Sequence, residues 1–167
     1  MALRKDSLRF MDHPIHPIFT DFPIALWSLS VVWDIVALAT GDNLWWDMAF
    51  WTIVAGLGMA IPTAITGLTD FLSIPTDRPA WRTALFHLLA MVTVVGLFAG
   101  SMVSRLGLPD LPAVGDVILS LALSWAGFLV LLLGAWLGGS LVYRHQMGTV
   151  ARREALREAE SRIRLRR

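Results

Sequence analysis

Four apolar runs, near residues 19–40, 45–73, 80–102 and 113–143, constrain this chain of 167 residues more than any other feature. Each is close to the 20 or so residues that a helix needs to cross a hydrocarbon core about 30 Å thick. In lipid every backbone N–H and C=O must find its partner inside the protein, so each run is expected to be a helix. The breaks are short: Gly41-Asp42-Asn43, then 74–79 with Pro75 and Pro79, then 105–112 with Pro109, Asp110 and Pro112. Proline cannot continue a helix, and short connections make neighbours antiparallel. The expected fold is therefore all-α: an integral membrane antiparallel four-helix bundle over 19–143, after an N-terminal segment of residues 1–18. A basic, helical, cytoplasmic tail of residues 144–167 follows it. Composition agrees, with 56% apolar and 16% charged residues, against about 25% charged in a soluble domain.

The chain contains no cysteine. Disulfides, thiolate metal sites, iron–sulfur ligation and covalent haem attachment are excluded, leaving histidine and carboxylate as the metal ligands on offer. No nucleophile–base pair, phosphate loop or nucleotide fingerprint is present. The net charge of +1 says little about partners, since the placement of the charges matters more than their sum, and no nucleic-acid partner is expected. The spans also lack the chain of intramembrane carboxylates that a transporter would use.

Basic residues set the direction, because cytoplasmic segments collect Lys and Arg. Of the fourteen Lys and Arg residues, all except Arg105 lie before the first run, around the second connection or after the last run. Both termini are thus expected in the cytoplasm, with Asp42, Asp47, Asp110 and Asp116 opposite and Trp45 and Trp46 as interfacial anchors. Ala37-Leu38-Ala39 could pass for a signal cleavage site. Signal cores span only about 7–15 residues, and this run is longer and holds Asp34, so it reads as a retained span. In the tail, Arg153/Arg157 and Glu154/Glu158 are at helical spacing. A basic helix there suits anionic headgroups or a partner protein, or simply stops the fourth span.

The chemistry-bearing residues gather at that same end. His13 and His16 each precede a proline, which pushes them toward extended or polyproline II geometry. In that geometry the two imidazoles point the same way about 9 Å apart, too far to share one metal ion. His87 falls near the start of the third run and His145 just beyond the fourth, so all four histidines come to the cytoplasmic end, with Asp21 and Asp70. Asp34 stands apart, and a buried helix-to-helix hydrogen bond is expected there. Neutral imidazole ligates Zn, Cu and Fe, including haem iron. Glycines in the second and fourth runs (Gly56, Gly58, Gly67; Gly127, Gly134, Gly138, Gly139) leave room for a porphyrin. They equally fit small-xxx-small helix packing.

The leading expectation is a membrane electron-transfer module holding one or two b-type haems through His13, His16, His87 and His145. Asp21 or Asp70 would accept the second ring N–H. A non-haem Zn, Cu or Fe site on the same residues is the alternative, and a cofactor-free accessory or scaffold subunit the third reading. The partners in view are the lipid bilayer, a redox protein or membrane complex, and a second copy of the chain.

His13-Pro14-Ile15-His16-Pro17, Phe22-Pro23-Ile24, Gly67-Leu68-Thr69-Asp70, His87 and Leu141-Val142-Tyr143-Arg144-His145 together resemble an uncharacterised family of predicted bacterial four-helix membrane proteins. The resemblance spans all four runs. It implies a bacterial inner-membrane location and shared functional positions at His13, His16, His87, His145 and Asp70. Fusion of some members to Rieske or cytochrome-type domains implies a redox setting. Gln146 departs from the pattern, standing where the resemblance leads one to expect glycine.

Overall fold

A computed structural model describes residues 9–10, 13–106 and 114–149. Four long helices follow a two-residue antiparallel pairing of β1 (Arg9–Phe10) with β2 (His13–Pro14). The helices are α1 (Ile15–Thr40), α2 (Asn43–Leu72), α3 (Pro79–Arg105) and α4 (Val114–Tyr143), all long and apolar enough to cross a membrane. The predicted helical tail beyond Thr149 lies outside the described residues, as does the side chain of His13.

The first helix begins at Ile15, so the polyproline II expectation fails for His16. The steric rule against helical geometry before proline is outweighed here. Pro17 falls in the first turn, where no intrahelical acceptor is lost, and the His16 ring is bonded to α2. Pro23 sits inside α1 and leaves the carbonyl of Phe19, four residues back, without its usual donor. The Thr63 hydroxyl of α2 reaches that carbonyl at 3.1 Å, sharing its proton with Met59 O at 2.8 Å. Gly41, at φ +69°, closes α1 with its N–H on Ala37 O. The next residue, Asp42, caps α2 by accepting from Leu44 N–H at 2.9 Å.

Lipid as solvent explains what is inside and what is outside. Ser30, Asp34, Ser101, Arg105, Ser120 and Ser124 are buried, while Ile18, Phe22, Trp51, Leu129 and Trp136 are exposed. A soluble bundle would reverse this. Hydrocarbon tails accept the apolar surface and drive polar groups inward, toward partners within the protein.

α1 packs on α2, and α3 on α4, along their lengths, and the two hairpins meet more sparsely through α2 with α3 and α1 with α4. The hairpins repeat one another at a spacing of 71 residues. Both α2 and α4 are 30 residues long and start 71 apart. Trp27 lies flat on Gly56 and its equivalent Phe98 on Gly127, so close that a Cβ at either glycine would meet the ring at 2.5 and 2.9 Å. Trp27 then stacks on Phe98 at 4.9 Å between centroids and 5° between planes. Asp34 pairs with its own equivalent, Arg105. A residue that touches its own counterpart must lie on the symmetry axis. Both hairpins start from the same end, so this pseudo-twofold axis runs along the bundle, as in membrane proteins built of parallel repeats.

Candidate functional site

Near one end of the bundle, two imidazoles are held in matching fashion. His16, in the first turn of α1, directs Nδ1 to Thr63 O on α2 at 3.1 Å, with Thr66 Oγ1 at 3.2 Å. Its equivalent on α3, His87, directs Nδ1 to Gly134 O on α4 at 2.9 Å. Each ring lies over a glycine one turn further along the facing helix. A Cβ on Gly67 would come within 2.7 Å of His16 Cε1, and one on Gly138 within 3.2 Å of His87 Cε1. The imidazole occupies the space of the missing side chain, tightly at Gly67 and less so at Gly138.

These bonds fix the tautomer by chemistry alone. A carbonyl oxygen can only accept, so Nδ1 carries a proton in both rings, and in the neutral imidazole Nε2 then keeps a bare lone pair. Among the described residues neither Nε2 has a hydrogen-bond partner.

The remaining candidates are placed differently. His145, just past the end of α4, bonds through Nε2 to Thr83 Oγ1 at 3.2 Å, and Thr83 is one helical turn before His87. The His13 backbone pairs with Phe10 in the short ladder. Asp21 is exposed on α1, and Asp70 is half-buried in the last turn of α2. The orienting role expected of these carboxylates is taken, for His16 and His87, by the main-chain carbonyls of Thr63 and Gly134. Among the described residues no three His, Asp or Glu side chains come together as a metal-ligand group.

Opposite lies a polar cluster that the sequence concealed. Arg105 donates from Nη1 and Nη2 to Asp34 Oδ1 and Oδ2, both at 2.8 Å, and both side chains are fully buried. Ser124 Oγ accepts from Nη2 at 3.2 Å and Ser101 Oγ from Nε at 3.3 Å. The Trp46 ring covers the guanidinium at 4.2 Å. Asp34 does make the expected helix-to-helix contact. Arg105, counted by sequence as a loop cation, is instead its buried partner.

Fold and site together define a four-span membrane bundle of two like hairpins with a histidine pair between them. Residues 12–151 match the family described as predicted membrane protein (DUF2231), and the chain belongs to it. No curated protein and no solved structure matches the chain.

Proposed function

We propose that this protein is a b-type haem-binding electron-transfer module in which His16 and His87 would hold the haem iron. The observation that carries this reading is the matched anchoring of the two rings. Ligand histidines commonly donate their other N–H to a carbonyl or carboxylate, which fixes the ring and leaves one lone pair for the metal. The number of donors favours haem over a bare ion. A structural Zn site takes four protein ligands and a non-haem Fe site about three, whereas haem brings its own four nitrogens and asks the protein for two at most. When bound, the group would supply reversible one-electron chemistry. The chain's part is to hold both rings in one tautomer through the carbonyls of Thr63 and Gly134.

The proposed setting is a bacterial inner membrane with both termini in the cytoplasm. Arg105, the one cation outside the cytoplasmic set, is neutralised within the bundle by Asp34, so it does not weigh against that orientation. A second reading has its own support: the same Nδ1 bonds tie α1 to α2 and α3 to α4, which would suit a cofactor-free accessory subunit. One measurement separates them. Protein purified after expression with ample haem should show a Soret band, with sharp visible bands on dithionite reduction. A colourless protein without metal by elemental analysis refutes the haem reading and favours the accessory one.

A further inference from the structure

We infer that the histidine end holds a single ligand position on the pseudo-twofold axis, presented by His16 and His87 as equivalents, with His13 and His145 outside it. This rests on the reading that the two rings are ligands, and it specifies how many ligands bind and by which residues.

The axis is located by two contacts that have nothing to do with histidine, the Trp27/Phe98 stack and the Asp34–Arg105 pair. His16 and His87 are separated by the same 71 residues as those pairs, and each lies about three helical turns before its axial neighbour, Trp27 or Phe98, on the same helix face, so they face the axis from opposite hairpins. Their surroundings repeat at the same spacing: Thr63 with Gly134 as carbonyl acceptors of the anchoring bond, Gly67 with Gly138 as ring platforms. The two hairpins differ at the other axial pairs, Trp against Phe and Asp against Arg. At the site both have the imidazole and the glycine beneath it. Two identical donors on an axis suit one metal centre with two opposite open positions, such as the iron of a tetrapyrrole.

The other two histidines have no counterparts. The position equivalent to His13 is Ala84, and that equivalent to His145 is Ile74, and both are buried apolar residues. A two-site arrangement, with each of His13 and His16 completed by one of His87 and His145, would place one site off the axis. His145 also has Nε2 committed to Thr83. One asymmetry remains within the pair: Thr66 Oγ1 lies 3.2 Å from His16 Nδ1, and the residue equivalent to Thr66 is Leu137.

Two measurements on the full-length protein in lipid nanodiscs test this. The first needs no ligand: nitrogen NMR of ¹⁵N-histidine-labelled protein should find His16 and His87 in the same Nδ1–H tautomer, assigned by losing one signal in His16→Gln and one in His87→Gln. Different tautomers for the two rings overturn the inference. The second is a haemin titration. Its endpoint should be one per chain and should not move in His13→Ala or His145→Ala. Affinity should fall about tenfold or more, and equally, in His16→Gln and His87→Gln. Glutamine keeps an N–H for Thr63 O or Gly134 O, which guards against loss through misfolding. An endpoint of two, or a loss in His145→Ala matching that in His16→Gln, overturns the inference while haem binding stands. If the wild type takes no haem, the proposed function fails, and the tautomer comparison still decides the equivalence of the two rings.

Discussion

The Asp34–Arg105 pair offers the sharpest quantitative test of the bundle. Both side chains are wholly buried and joined by two parallel bonds of 2.8 Å. Removing one partner leaves a charge with no water to receive it, a loss of about 3–5 kcal/mol in buried pairs. Replacing both by apolar residues of similar size removes the desolvation cost along with the attraction, and in other proteins this is neutral or stabilising. Asp34→Leu and Arg105→Met should therefore each lower stability by about 3–5 kcal/mol, while the double variant should fall within about 1 kcal/mol of wild type. The serines temper the Arg105→Met variant, because Ser101 and Ser124 keep bonding to each other at 2.7 Å. Asp34→Leu leaves the guanidinium with hydroxyl acceptors and the Trp46 face only, and should be the worse of the two. Reversible unfolding in mixed micelles, read by tryptophan fluorescence, gives the four corners of the cycle. Single variants costing under about 1 kcal/mol, or a double variant costing the sum of the singles, would refute the argument that the pair is held together by mutual need.

Three further outcomes are expected. Gly67→Ala should displace the His16 ring and break its bond to Thr63, whereas Gly138→Ala, with 3.2 Å rather than 2.7 Å of clearance, should disturb His87 less; histidine NMR signals would rank the two. Gln146 adopts φ +52°, a conformation that costs a residue with a side chain about 1 kcal/mol, so Gln146→Gly should raise the melting temperature measured in detergent. Asp42→Ala removes the cap on Leu44 N–H and should cost about 1 kcal/mol, readable in the same melt, while leaving the histidine signals in place.

The four spans were legible because lipid imposes a simple filter: about 20 apolar residues, bounded by proline or by glycine with acids. Gln146 was legible as an oddity for a physical reason, since it occupies a left-handed position after α4 where glycine would be unstrained. His16 and His87 were correctly placed at one end, but their anchors are main-chain carbonyls, which carry no residue-type signature. Arg105 was misread because the end of an apolar run looks the same whether its cation faces water or turns inward. The repeat escaped notice because lipid-facing positions need only be apolar, so the hairpins share few identities. Those in contact with something, His16/His87 and Gly56/Gly127 and Gly67/Gly138, were the signal that could have revealed it.

Opposite charges at Asp34 and Arg105 limit what this chain can assemble with. Two copies of the first hairpin would bring carboxylate against carboxylate, and two of the second guanidinium against guanidinium, a repulsion of about 4 kcal/mol at 4 Å in a partly screened interior. Like halves therefore reject each other. Reciprocal domain swapping, in which the first hairpin of one molecule closes on the second hairpin of another, keeps both charges matched. The core that pairs one hairpin with the other thus leaves open one route to an intertwined dimer.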